Sequence, residues 1–188
     1  MEKIDAHIVK HRKIPLLVAP ERFDDLEDYL PWCEVYELDQ ESELALQSEV
    51  RLVLGGRGLG IALPAQKSYF YVSSIDIQAR IKAGRRGELA RACLGNKDSM
   101  LVLDAFAGFG VDGLTLAGLG ADVTLVERNL VVWLILRSIA WGHPKAAIYL
   151  ADSAELLQSE KVWNVVYLDP MFPPTKKSAL PKRDLQIL

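Results

Sequence analysis

From Met100 onward, apolar runs alternate with stretches of helical spacing. MLVLD (Met100 to Asp104), DVTLVE (Asp122 to Glu127), AAIYL (Ala146 to Leu150) and VWNVVYLD (Val162 to Asp169) read as buried strands. They are short and rich in β-branched or aromatic residues. Between them, AGFGVDGLTLAGLG, NLVVWLILRSIAW and DSAELLQ carry helix patterns, and Asn129 stands where an N-cap belongs. Strand and helix alternating at this pitch predict βαβ units and a mostly parallel, doubly wound sheet. The earlier residues follow a different pattern. IPLLVA (Ile14 to Ala19), VYEL (Val35 to Leu38), the two halves of RLVLGGRGLGIAL, and SYFYVSS predict short strands. PERFDDLEDYL predicts a short acidic helix. From Ile75 the pattern turns helical, and GELARACLG is a helix ended by Gly95. The expected organisation is a small N-terminal α+β lobe over 1–74 and a doubly wound domain over 75–188. Glycines at 55, 56, 58 and 60 invite a phosphate cradle, but no helix opens behind them, so a hairpin turn is the better reading.

Composition adds little to this picture except through charge. Half of the 188 residues are hydrophobic, enough for one solid core with an appended lobe. Charged residues make up 25%, which excludes general disorder. Cys33 and Cys93 have neither metal nor redox spacing and read as reduced thiols of a cytoplasmic protein. No metal site is expected. The start, MEKIDAHIVKHRKIP, has bases without an apolar run behind them, so no signal peptide is expected. The apolar stretch Leu130 to Leu136 is too short to span a bilayer, and no membrane partner is expected. The net charge of −3 conceals an asymmetry: Glu21 to Glu49 holds eleven acids and one base, Arg22, so the remainder carries +7. Arg80, Lys82, Arg85, Arg86 and Arg91 form one basic stretch, and Lys176, Lys177, Lys182 and Arg183 a second. Two such clusters make a polyanion a credible partner.

Ligands of an open parallel sheet bind at the carboxyl ends of its strands. Asp104, Glu127, Asp152 and Asp169 fall at or just past those ends. One acid there is often an N-cap; four point to a site. Gly108-Phe109-Gly110-Val111-Asp112-Gly113 matches GxGxxG, and Glu127 follows where an acid grips ribose hydroxyls. That match alone raises a nicotinamide-dependent oxidoreductase, with pyrophosphate at the helix N-terminus. Asp104, directly before the loop, and Asp112, in the first helical turn, oppose it. Carboxylates there repel pyrophosphate and suit the cationic amino and sulfonium groups of S-adenosylmethionine.

The string Asp169-Pro170-Met171-Phe172 has its own chemistry. An exocyclic base amine is a poor nucleophile because its lone pair is delocalised into the ring. The Asp169 carboxylate and the Pro170 carbonyl are two acceptors that can hold its N–H bonds while it pyramidalises. Proline stiffens the turn between them. Phe172 offers a stacking face worth about 1–3 kcal/mol. Alignment of nitrogen, methyl carbon and sulfur contributes on the order of 7–11 kcal/mol.

DAFAGFGVD, VTLVERNLVVWLIL, KAGRRGELARACLG and above all VVYLDPMFPPTKKSAL resemble the bacterial ribosomal RNA small subunit methyltransferase J family. That family methylates guanine N2 in 16S rRNA, at the guanine conventionally numbered 1516, with S-adenosylmethionine as donor. The resemblance covers Ile75 to Leu188 well and the first lobe loosely. It implies a class I, Rossmann-like methyltransferase fold and 16S rRNA or the small ribosomal subunit as partner. It also implies cofactor contacts at Val111 and Asp112, at Glu127 and Arg128, at Asp152 and Ser153 near the adenine, and at Asp169 in the reaction centre. The family loop usually carries threonine where Phe106 stands and arginine where Val111 stands. Family members also continue further past the fourth strand, so a chain truncated relative to the family, with an incomplete sheet, is expected. A non-catalytic homologue that binds cofactor or RNA is the alternative, with the oxidoreductase behind it.

Overall fold

The computed structural model describes residues 13–66, 68–72, 74–97, 99–158 and 161–170. The described residues up to Val72 make one compact unit and those from Ser74 to Pro170 another. No described helix is long and apolar enough to cross a membrane.

In the first unit, β1 (Ile14–Val18) is followed by a 3-10 turn (Pro20–Asp25), β2 (Cys33–Glu37), α1 (Gln40–Ala45), β3 (Arg51–Gly55) and β4 (Gly58–Ala62). The sheet order is β2-β1-β3-β4. β1 pairs in parallel with both β2 and β3, and β3 pairs antiparallel with β4. Leu16, Leu17 and Val18 are fully buried, as a strand flanked on both sides should be. Gly55 pairs with Gly58 across the two-residue turn Gly56–Arg57, so the glycine-rich segment is a hairpin. Two expectations need correction. PERFDDLEDYL forms only the 3-10 turn. SYFYVSS is not a strand: Phe70 alone bridges to Ile61. The alternation there serves side-chain packing instead, for Arg51 stacks over Tyr69 and Arg57 over Tyr71. Helix α1 escapes the sequence reading. It is capped by Asp39, whose Oδ1 accepts from the Ser42 amide at 2.7 Å.

The second unit runs α2 (Ser74–Ala83), a 3-10 turn (Gly84–Arg86), α3 (Glu88–Cys93), β5 (Leu101–Asp104), α4 (Val111–Gly118), β6 (Asp122–Glu127), α5 (Leu130–Ile139), β7 (Ala146–Leu150), α6 (Ser153–Leu157) and β8 (Val165–Tyr167). All pairs are parallel, in the order β7-β6-β5-β8. This is the doubly wound sheet expected from the alternation. Asn129 caps α5 by accepting from the Val131 and Val132 amides at 2.9 and 3.2 Å. β8 is shorter than its apolar run. Its start is fixed by Asn164, whose amide donates to the Leu101 carbonyl and whose Oδ1 accepts from the Leu101 amide. The core gathers Val102, Leu114, Leu116, Val123, Leu125 and Leu136, and α2 lies against α4 through Ile77 and Ile81.

Candidate active site

The strand order reverses at β5: β6 and β7 lie to one side and β8 to the other. The carboxyl ends of β5 and β8 therefore flank the crevice where a doubly wound sheet takes its ligand. A cleft of about 550 Å³ opens there. Asp104, the last residue of β5, lines it and stands in register with Tyr167. Asp169, two residues beyond Tyr167, lines it as well. From α4 come Val111 and Asp112, from the loop before it Phe106, Ala107 and Phe109, and from α2 Asp76, Ala79 and Arg80.

Two glycines let α4 come this close to the strand. Gly110, its N-cap, has φ +77°, and a Cβ there would run into Leu136. At Gly113 a Cβ would stand 2.7 Å from Asp104 Oδ2 and 2.7 Å from a Leu125 methyl.

The carboxylates of the cleft differ in environment. Asp104 is only 1% exposed, and its Oδ1 has no hydrogen-bond partner among the described residues. Burial pushes its carboxyl up to about 7, the Phe106 amide pulls it down, and Asp112, Asp169 and Glu127 push it further up. Asp112 pairs with the Arg80 guanidinium through Oδ1 and accepts from the Tyr167 hydroxyl at 2.7 Å through Oδ2. Burial, together with Asp112, raises the Tyr167 phenol well above its ordinary value, so it remains a donor. Glu127 works differently. Its Oε2 accepts from the Gly108 amide at 3.1 Å and its Oε1 from the Asn129 amide at 2.7 Å. With the Ala107 amide donating to the Val126 carbonyl, this ties the glycine loop to β6.

Among the residues singled out from the sequence, Asp104, Val111, Asp112 and Asp169 meet around the cleft. Gly108 and Gly110 shape its loop, and Pro170 follows Asp169 directly. Glu127 and the exposed Arg128 lie at the end of β6, next to β5. Asp152 and Ser153 lie past the end of β7, one strand further out. Asp152 is a helix cap, accepting from the Ala154 amide at 2.9 Å. In the first basic stretch, Lys82, Arg86 and Arg91 are exposed. Arg85 instead donates to the carbonyls of Lys97 (2.5 Å) and Leu119 (3.2 Å), and Arg80 stands in the cleft wall. Phe172, Lys176, Lys177, Lys182 and Arg183 lie outside the described residues.

The cleft also contains residues that the sequence reading passed over as lining groups: Asp76, Arg80 and Tyr167. A signal existed for the first two. Positions 76 and 80 are four apart on one helix and share a face. Among the described residues, no group of three or more His, Cys, Asp or Glu is arranged to hold a metal ion.

A family model described as "Putative SAM-dependent methyltransferase" matches residues 36–188. The ribosomal RNA small subunit methyltransferase J of Pasteurella multocida is 35% identical over 190 residues, covering 89% of this chain and 72% of the relative. Its counterpart in Coxiella burnetii is 33% identical over 143 residues, covering 70% of this chain. The match spans 56% of the Coxiella protein, a little over half its length. The crystal structure of a SAM-dependent methyltransferase from Neisseria gonorrhoeae superposes with a TM-score of 0.65 at 21% identity, over 85% of this chain and 71% of that one, which establishes the shared fold. By its match to the family model and its identity to these relatives, the chain belongs to the ribosomal RNA small subunit methyltransferase J family.

Proposed function

We propose that this chain uses S-adenosylmethionine to methylate the exocyclic N2 of a guanine in small-subunit ribosomal RNA. The observation that carries the reading is that Asp104, at the end of β5, and Asp169, two residues past the end of its neighbour β8, line one cleft. Asp104 brings a buried carboxyl oxygen with no partner, and Asp112 and Asp169 add negative charge beside it. This donor set fits a ligand that carries cationic groups, as the methyl donor does. It disfavours a pyrophosphate, for which the Gly108 amide is in any case already engaged by Glu127.

Asp104, Val111 and Asp112 would hold the amino-acid end of the cofactor, and Glu127 with Arg128 its ribose side. When bound, the cofactor supplies an electrophilic methyl group with its leaving group already attached. Asp169 and the Pro170 carbonyl accept the two N–H bonds of the guanine amine and direct its lone pair into the cleft. Once nitrogen has gained the methyl group it must lose one proton. Asp169, which is exposed, takes that proton and passes it to solvent. Lys82, Arg86 and Arg91 would meet RNA phosphates, and a ribosomal substrate places the protein in the cytoplasm.

Calorimetric titration with S-adenosylhomocysteine and with NADH tests the cofactor. Methyl transfer from labelled S-adenosylmethionine to unmodified small-subunit RNA, abolished in Asp169→Asn, tests the reaction. NADH binding in place of S-adenosylhomocysteine would overturn the reading. A folded, S-adenosylhomocysteine-binding chain that transfers no methyl group would reduce it to a non-catalytic homologue.

A further inference from the structure

The cleft wall is electrically lopsided. Asp76, Asp104, Asp112 and Asp169 line it, and among its described lining residues Arg80 is the single cation. Such a wall attracts an ammonium and a sulfonium but repels the carboxylate that the same methyl donor carries. A ligand with both signs needs a cation among the acids. From these charges we infer that Arg80 recognises the α-carboxylate of the methyl donor, an assignment that rests on the function proposed above.

Three features of Arg80 suit this role. It projects from α2, which packs on α4 and so holds a fixed place beside the cleft. Its side chain is 52% exposed although ion-paired. The pair uses Nη1, and a guanidinium has further N–H donors in a rigid fork that matches a carboxylate. Asp112 orients that fork. One of its oxygens takes Arg80 while the other is held by the Tyr167 hydroxyl at the end of β8. Arg80 is thus better placed for the small ligand than for RNA, unlike Lys82, Arg86 and Arg91.

The consequence is selectivity for a donor that keeps its whole amino-acid moiety. Calorimetry with S-adenosylhomocysteine and with its decarboxylated analogue, which retains the amine, reads this directly. The parent chain is expected to bind the carboxylate-bearing ligand about tenfold or more tighter, the scale of a charge-assisted hydrogen bond. Arg80→Gln should lose that preference while still binding the decarboxylated analogue, which also shows that it folds. Arg80→Lys should restore part of the preference. An Arg80→Gln chain that keeps the parent ratio overturns the inference. So does an equal loss of both ligands, which would assign Arg80 to holding Asp112 and α2. If the parent chain binds neither ligand, the proposed function fails with it, and that outcome is visible without any variant.

Discussion

The Tyr167 hydroxyl donates to Asp112 Oδ2 at 2.7 Å, joining the last described strand of the sheet to the first turn of α4. The bond ties together the two elements that carry Asp169 and Asp112. Tyr167→Phe removes the donor without changing the ring. A hydrogen bond to a charged, half-buried acceptor is worth about 1.5–3 kcal/mol. The variant should unfold several degrees lower in a thermal melt, and an unchanged midpoint would show that the bond contributes nothing.

Asp104 makes the fold sensitive to pH. Its folded-state carboxyl titrates at about 7 against an ordinary value of 3.8, so the folded protein binds this proton more tightly than the unfolded chain. The residue therefore costs nothing below about pH 4, destabilises the fold increasingly as pH rises towards 7, and exerts its full cost above that. The difference is at most about 4 kcal/mol. Urea unfolding should show Asp104→Asn gaining on the parent at pH 5 and gaining clearly more at pH 8. The same variant should bind S-adenosylhomocysteine poorly. Equal gains at both pH values would contradict the assignment.

Gly113→Ala sets two effects against each other. Alanine in a helix interior is favoured over glycine by about 1 kcal/mol. Here its methyl would stand 2.7 Å from both Asp104 and Leu125, and overpacking costs about 1–3 kcal/mol. The steric term should win, giving a lower denaturation midpoint and weaker ligand binding. A stabilised variant would mean that α4 moves away from β5 without penalty.

Salt dependence separates the basic residues. If Lys82, Arg86 and Arg91 contact phosphates, changing all three to glutamine should flatten the slope of log K against log salt by about 2 for single-stranded RNA. Arg85→Gln should leave that slope unchanged and instead lower the melting midpoint, because its guanidinium serves the Lys97 and Leu119 carbonyls. Fluorescence anisotropy across a salt series checks both.

The sheet was legible because its signals are local. Each strand of the second unit is a short apolar run, and Asn129 and Gly95 sit where helix ends require them. The site was legible in part for the same reason, since acids at strand ends must share an edge. What the sequence could not rank was distance from the reversal point. Asp104 and Asp169 both line the cleft beside it, whereas Asp152, equally well placed in the sequence pattern, caps a helix beyond β7. Tyr167 was hidden because its role depends on β8 meeting α4, and the spacing of Asp76 and Arg80 puts them on one face of α2 without telling that this face lies beside Asp112. SYFYVSS misled because Tyr69 and Tyr71 stack on arginines rather than extend the sheet.

The straps that Glu127 and Val126 place on the Gly108 and Ala107 amides bear on how a ligand is received. A loop held to a buried strand at two successive residues has little freedom left to lose on binding. Its amides should exchange with deuterium at the pace of β6 rather than of a surface loop, with or without ligand. If the substrate is an RNA, as proposed, adaptation to it falls to whatever surrounds this rim, because the rim itself is already set.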